Sequence, residues 1–179
     1  MAVFWLIPEY ERDVSKGPAA AVDAGRLSLV WPGGFRQPAD HPAHGLCFCT
    51  GSFSVRSDND VAAMAREFAS RIHAAHLRST EPCPDGGFIE ANHLEGSVNM
   101  PAVVEALLRE QARREQEGGA DGRIPFRPDH GHVMLDDLNK PPSSTPGYSC
   151  LGRMRGLAEL RGLQLGCAHA GKFRLNSEL

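Results

Sequence analysis

Three kinds of feature are scarce in this sequence, and each absence excludes a class of protein. No apolar run approaches the roughly 20 residues of a membrane-spanning helix, because the apolar start at residues 1–7 meets Pro8 and Glu9 and has no basic n-region. Basic charge is not in excess, since 19 Lys and Arg stand against 22 Asp and Glu. The five cysteines are odd in number and lack zinc-ribbon or disulfide-framework spacing. We therefore expect a cytoplasmic protein with neither a membrane nor a nucleic acid as its partner.

The composition is that of one globular domain. The chain has 179 residues, of which 41% are hydrophobic and 23% are charged, so it can bury a core. Residues 1–37 form a poorly defined segment in which only a strand at 27–31 is indicated. Residues 38–179 carry the regular pattern and all of the candidate chemistry.

Strands and helices alternate from residue 46 onward. Short strands are predicted at 46–49, 72–77 and 88–91, with a turn at 50–52 and a polar loop at 78–87. A helix is predicted after Asp58 or Asn59, either of which can be its N-cap, and a longer one after Asn99, ending at Gly118-Gly119 with Glu110 and Arg114 as a solvent-facing pair. A last helix, ending near Gly162, is predicted to bury the stripe of Leu151, Met154, Leu157 and Ala158.

This order predicts an α/β fold with parallel strands and right-handed crossover helices, either an open sheet or part of a (β/α) barrel. The remaining strand lies at the start of the stretch 124–138, which places Arg127, Asp129, His130 and His132 within six residues. Taken alone, that loop fits a polar turn that caps a helix about as well as it fits a reactive site.

Polar residues recur at the carboxyl ends of the predicted strands, where parallel α/β folds gather their active sites. Cys49, His76 and Asp129 occupy three such ends. A thiolate, an imidazole and a carboxylate together suit Mn, Fe, Co or Zn better than Ca. Each residue alone is more simply a packing or strand-end residue, but the three together favour a metal site.

Several motifs then resemble mannonate dehydratase, in order and with compatible spacing over residues 38–166. They are Phe48-Cys49-Thr50-Gly51-Ser52, His76-Leu77-Arg78-Ser79, His93-Leu94-Glu95-Gly96-Ser97-Val98-Asn99-Met100, Arg127-Pro128-Asp129-His130-Gly131-His132, Pro146-Gly147-Tyr148-Ser149 and Gly156-Leu157-Ala158-Glu159-Leu160-Arg161-Gly162. The resemblance covers the C-terminal half of that family's xylose-isomerase-like TIM barrel. It implies a partial (β/α) barrel.

The resemblance also implies a function and a site. The family is a Mn²⁺- or Fe²⁺-dependent lyase that converts D-mannonate to 2-dehydro-3-deoxy-D-gluconate and water in glucuronate breakdown. By resemblance, Cys49, His76 and Asp129 are metal ligands, and His130 and Tyr148 are the catalytic residues in proton transfer. Arg127 is expected to bind the substrate carboxylate, while His93 either contacts substrate or caps a loop.

Two departures from the family pattern qualify these expectations. The family's further ligand, a His in a His-Pro-Asp-Asp-Pro segment, has no counterpart, and Phe88-Ile89-Glu90 stands where the family usually has Phe-His-Glu. We therefore expect a truncated form with weak or no activity alone and with exposed barrel edges open to homo-oligomer formation. The alternatives are a non-catalytic, partner-binding half-barrel and, more distantly, a sugar isomerase of the same barrel class.

Overall fold

The structure is a computed structural model that describes residues 20–23, 26–29, 45–118, 122–141, 145, 147–171 and 173. Strands β1 (Ala20–Asp23) and β2 (Arg26–Leu29) form an antiparallel pair. The strand predicted at 27–31 overlaps β2, and its last two residues lie outside the described part. The predicted boundary at residue 37 also lies outside it.

The elements from residue 46 onward confirm the predicted alternation. In chain order they are β3 (Leu46–Cys49), α1 (Thr50–Ser54), α2 (Val61–Glu67), β4 (Ile72–His76), β5 (Thr80–Pro82), β6 (Phe88–Glu90), α3 (Met100–Gln116), β7 (Phe126–Arg127) and α4 (Cys150–Gly171). Strands β3, β4 and β7 form a parallel sheet with β4 in the centre. The α/β prediction with parallel strands and crossover helices is therefore confirmed, and the described strands do not close into a barrel.

The parallel sheet has one apolar face and one polar face. Phe48 pairs with Ala75, and Ala75 with Phe126, so these three side chains share the face that packs on the helices. Phe48 and Ala75 are each 1% exposed. Because side chains alternate along a strand, Cys49 and His76 point to the opposite face. The core therefore lies on one side of the sheet and the polar strand ends open on the other.

Helices α2 and α3 begin at side-chain caps. Asn99 accepts a hydrogen bond from the Ala102 amide at 3.2 Å, as the sequence predicts, and the chain leaves α3 through Gly118 at φ +72°. The cap of α2 is Asp60, whose carboxylate accepts from the Ala63 amide at 2.9 Å. The prediction of Asp58 or Asn59 is wrong by one or two residues, because Asp58 instead pairs with Arg56 and the Asn59 amide donates to a carbonyl.

The pair of Glu110 and Arg114 forms, but it does not face solvent. The Glu110 side chain is only 5% exposed, and its Oε1 lies 2.7 Å from Arg114 Nε. Arg114 also donates to the carbonyls of Ala69 and Ile72 at 3.0 and 2.9 Å. The pair therefore ties α3 to the start of β4.

The loop predicted at 78–87 contains a strand. Residues of β5 pair antiparallel with those of β6, from Thr80 opposite Glu90 to Pro82 opposite Phe88. The turn between them includes Gly86 at φ +87°. Proline and glycine suggested an irregular loop, but Pro82 lies at the end of this isolated two-stranded ribbon, where a missing N–H is tolerated. The predicted turn at 50–52 is likewise the first part of helix α1.

Helix α4 is longer than predicted and is turned to a different face. It continues past Gly162 to Gly171, and the residues that the periodicity assigned to the core are exposed: Leu151, Met154, Leu157 and Ala158. The buried positions are Gly152, Gly156, Leu160 and Ala168. Small residues allow α4 to approach its neighbours closely, so the buried face carries little hydrophobic signal. Among the described residues, no helix is long and apolar enough to cross a membrane.

The orientation of α4 predicts opposite outcomes for two leucines. Leu160 is fully buried, so Leu160→Ala is expected to lower the free energy of unfolding by about 2–5 kcal/mol. Leu157 is 49% exposed, and we expect Leu157→Ala to cost about 0.5 kcal/mol or less. Urea denaturation followed by circular dichroism measures both. Equal losses, or a larger loss at Leu157, would contradict this orientation.

Candidate metal centre

Three potential ligands stand at the carboxyl ends of the three parallel strands. Cys49 is the last residue of β3, His76 is the last residue of β4, and Asp129 comes two residues after β7. Cys49 pairs in register with His76, and His76 pairs with Arg127. This register carries all three side chains to one end of the sheet.

The three side chains meet closely enough to share an ion. Asp129 Oδ2 lies 3.7 Å from His76 Nδ1 and 4.0 Å from Cys49 Sγ, and the three potential ligand atoms lie within 4.8 Å of one another. Bonds of about 2.0–2.3 Å to a tetrahedral ion place its ligand atoms about 3.3–3.8 Å apart. The separations among these three ligand atoms are close to that range, so small side-chain movements are enough for all three to bind one ion. Residues His76 and Asp129 are buried. The chemistry and spacing of these donors therefore fit a divalent transition metal.

A buried hydroxyl supports the end of β4. Thr50 Oγ1 accepts from the Arg78 amide at 2.9 Å and lies 2.5 Å from the Arg78 carbonyl and 3.1 Å from that of His76. Thr50 is fully buried at the start of α1, directly after Cys49. One side chain that follows β3 is thus bonded to the backbone at the end of β4.

Arg127 lies beside the predicted ligand Asp129. Its Nη2 donates to Asp129 Oδ1 at 3.2 Å, which leaves Oδ2 for the shared region with Cys49 and His76. The Arg127 side chain is 37% exposed. It can therefore present positive charge to an anion at the same site.

His130 and Tyr148 are brought together next to Asp129. Their rings meet edge to face, with centroids 5.2 Å apart. His130 Nε2 lies 4.0 Å from Asp129 Oδ2, and the Arg153 guanidinium sits over the Tyr148 ring at 3.9 Å from its centroid. His130 thus borders the ligand cluster, Tyr148 packs against His130, and Arg153 contacts Tyr148 from α4.

The loop between His130 and Tyr148 is tied by Asp137. Its Oδ2 accepts hydrogen bonds from the amides of Met134 and Gly147, both at 2.9 Å, and its Oδ1 lies 2.6 Å from Lys140 Nζ. The Lys140 hydrogen bond, followed by the two amides, lowers the pKa of Asp137 to about 2. Gly147 has φ +66°, and a Cβ there would lie 2.7 Å from the Gly131 backbone. The two ends of the loop therefore touch backbone to backbone.

His93 lies behind this loop. The residue is 4% exposed, and its ring is enclosed by Gly131 and Gly156, where an added Cβ would meet it at 3.0 and 2.6 Å. His93 Nδ1 is 3.8 Å from Glu159 Oε2. Burial lowers the pKa of His93, while the Glu159 carboxylate opposes the shift. The His93 ring is therefore packed between this loop and α4, and its contact with substrate or its role as a loop cap stays a prediction.

Sequence reasoning missed two residues that border the cluster. Cys47 Sγ lies 3.4 Å from His76 Nε2, and Glu90 Oε1 lies 3.4 Å from His130 Nδ1. The signal for Cys47 was its spacing of two from Cys49, which puts both on one face of β3. Ile89, the departure from the family pattern, is 57% exposed and lies next to Glu90. The fold and the cluster together define an α/β segment that presents a candidate divalent-metal centre at the carboxyl ends of parallel strands.

Comparison with known proteins narrows this class to one family. The family model described as D-mannonate dehydratase (UxuA) matches residues 34–174. The chain belongs to the D-mannonate dehydratase family, as its motifs indicated.

Curated relatives and a solved structure agree with this assignment. The chain is 56% identical over 122 residues to a mannonate dehydratase of Brucella canis, covering 68% of this chain and 29% of the relative. It is 52% identical over 122 residues to that of Saccharophagus degradans, covering 68% of this chain and 30% of the relative. The crystal structure of mannonate dehydratase from Streptococcus suis serotype 2 matches with a TM-score of 0.61 and 28% identity, over 78% of this chain and 37% of that one. The chain therefore spans about 30% of the length of the curated relatives it matches.

The ligand cluster predicts a Co²⁺ complex with a sulfur bond. We expect Co²⁺ to produce thiolate-to-metal absorption that Cys49→Ser removes and Cys83→Ser leaves intact, since Cys83 lies in the turn between β5 and β6. Asp129→Asn is expected to weaken Co²⁺ binding by more than the roughly 10–100-fold that loss of an outer-shell partner costs. Absorbance titration measures both effects. Unchanged absorption in Cys49→Ser would remove that residue from the site.

Burial of His93 predicts that stability falls in mild acid. Burial disfavours protonation of His93 in the folded state. Below the ordinary histidine pKa of about 6.5, the unfolded chain therefore binds more protons than the folded chain, and the free energy of unfolding falls. The free energy of unfolding should decline from about pH 6.5 towards pH 5, above the range where carboxylates with lowered pKa contribute. We expect His93→Gln to flatten that decline in urea titrations with a chelator present. An unchanged slope would contradict a neutral, buried His93.

Proposed function

We propose that this chain carries the metal-binding part of a D-mannonate dehydratase site and that the reaction it serves is the loss of water from D-mannonate. One observation carries the proposal: Cys49, His76 and Asp129 converge at one end of the parallel sheet in a member of that family. The product is 2-dehydro-3-deoxy-D-gluconate. Family membership favours this reaction over the isomerisation of a sugar.

The residues around the cluster suit a sugar acid. Arg127 can pair with a carboxylate, because its guanidinium is partly exposed and stands beside Asp129. Its hydrogen bond to Asp129 keeps the guanidinium oriented while a substrate binds. A carboxylate bound at Arg127 would bring the adjacent carbon atoms of the substrate towards His130, because both residues lie beside Asp129.

The elimination needs one proton removed beside the carboxylate and one delivered to the departing hydroxyl. A Mn²⁺ or Fe²⁺ ion bound by the three ligands would polarise substrate oxygens. His130 and Tyr148 have the side chains for proton transfer, and their rings touch at 5.2 Å between centroids. The tied loop and the buried His93 behind it hold these two groups in place. We place the reaction in the cytoplasm.

A second candidate function is a non-catalytic, partner-binding half-barrel. It is favoured by the exposed apolar side chains of Leu151, Met154, Leu157 and Leu165 on α4. Among the described strands, β3 and β7 also pair on one side only. Such edges invite homo-oligomer formation. A chain that forms oligomers and binds no divalent metal would support this candidate over the first.

A chimera tests the dehydratase proposal. The purified 179-residue chain with Mn²⁺ or Fe²⁺ is expected to turn over D-mannonate weakly or not at all, because its described sheet has two open edges. Residues 45–171 placed in the matching region of the Brucella canis relative should restore keto-acid formation from D-mannonate.

Within that chimera, Arg127→Ala is expected to lower kcat/KM about 10–100-fold, the size of one charge-assisted hydrogen bond. Arg123→Ala is the matched control, because Arg123 is exposed just before β7. A folded, metal-loaded chimera without activity would overturn the proposal. Robust turnover by the 179-residue chain alone would instead show that the open edges do not matter.

A further inference from the structure

Glu90 is held between two cationic or proton-bearing side chains at the edge of the site. It is the last residue of β6, and its two carboxylate oxygens face Arg78, with Oε2 2.9 Å from Nε and Oε1 2.5 Å from Nη2. Arg78 also lies over the Phe88 ring, 5.5 Å from its centroid. Both side chains of the pair are largely buried, with exposures of 12% and 15%. Glu90 therefore has little freedom to move.

The same carboxylate reaches the ring of His130. Glu90 Oε1 is 3.4 Å from His130 Nδ1, while the other ring nitrogen, Nε2, is 4.0 Å from Asp129 Oδ2. The first distance is that of a close ion pair, slightly longer than an ordinary N–H···O hydrogen bond, and the second is longer still. The ring thus has one nitrogen directed at Glu90 and the other directed at the ligand cluster.

Glu90 is ionised at neutral pH. Burial alone would raise the pKa of its carboxyl, but the hydrogen bonds with His130 and Arg78 outweigh burial and hold the pKa below its ordinary value. An ionised carboxylate only accepts hydrogen bonds. Because the partner of a ring nitrogen decides whether it carries the proton, His130 Nδ1 must be the donor in this contact.

We propose that Glu90 is a positioning residue that holds the His130 proton on Nδ1 and leaves the Nε2 lone pair facing the metal cluster. Its use in catalysis rests on the proposed dehydratase function, in which His130 Nε2 then accepts the proton taken from substrate. Arg78 fixes Glu90 and neutralises it. The hairpin of β5 and β6 therefore has a chemical role beyond packing, because it delivers this carboxylate to the ring.

The tautomer of His130 can be read in the wild-type chain without any turnover. Two-bond ¹H–¹⁵N NMR spectra of the metal-free protein are recorded at about pH 8, above the ordinary histidine pKa of about 6.5. His130 is assigned by its absence from His130→Asn. We expect protonated Nδ1 and unprotonated Nε2. Observation of protonated Nε2 would overturn the proposal directly, whatever the behaviour of any Glu90 variant.

Glu90→Gln provides a sharper test. Arg78 requires an acceptor, so the glutamine oxygen should turn to the guanidinium and its NH₂ group to His130, where it donates to Nδ1 and moves the ring proton to Nε2. The control is Glu81→Gln on the exposed side of the same hairpin, opposite Ile89. We expect the tautomer to switch in Glu90→Gln and to stay unchanged in Glu81→Gln. A folded Glu90→Gln chain that keeps its proton on Nδ1 would also overturn the proposal.

The kinetic consequence is measured separately, in the chimera that carries residues 45–171. Glu90→Gln is expected to lower kcat much more than it changes KM, and Glu81→Gln to change neither. In a serine-protease triad, the corresponding change to the wrong tautomer costs about 10⁴-fold in kcat. A tautomer switch without loss of kcat would show that His130 is not the proton acceptor, and would leave the positioning of its ring by Glu90 established.

Discussion

The register of three short parallel strands is the constraint on which the site depends. Cys49 lies opposite His76, and His76 lies opposite Arg127, so the ends of β3, β4 and β7 arrive at the same level. A slip of one residue would turn Cys49 or His76 towards the helices and Phe48 towards the site. The apolar face prevents this, because Phe48 and Ala75 belong to the core. Packing of the apolar face of the sheet thus determines which side chains lie at the ligand cluster on the other face.

Polar residues around the strand ends hold the candidate ligands and their loops in position through hydrogen bonds. Thr50 fixes the backbone of β4, Arg127 orients Asp129, and Asp137 closes the loop that carries His130 and Tyr148 at its ends. Thr50 is the first residue of α1, Arg127 is the last residue of β7, and Asp137 lies in the loop between His130 and Tyr148. Helix α4 completes the arrangement by placing Arg153 over Tyr148. The site is therefore assembled from strand ends and from the loops that follow them, whose geometry is held by hydrogen bonds.

The sequence indicated the three strands of the parallel sheet, the long helix and the ligand cluster, because apolar runs that end in Cys, His or Asp are visible without tertiary information. The face of α4 was assigned wrongly, since Gly152 and Gly156 bury no hydrophobic side chain and the exposed leucines mimic a core stripe. Glu90 was overlooked because its partners Arg78 and His130 are distant along the chain. The same is true of Glu110, whose burial depends on how α3 meets β4.

The close approach of Gly131, Gly147, Gly152 and Gly156 has a consequence for how this region can vary. A methyl group at any of these four positions would meet backbone or the His93 ring. The start of α4 thus lies against the Gly147 backbone at Gly152 and against the His93 ring at Gly156. Substitution of any of the four glycines would therefore force neighbouring atoms apart where the loop, the His93 ring and α4 meet.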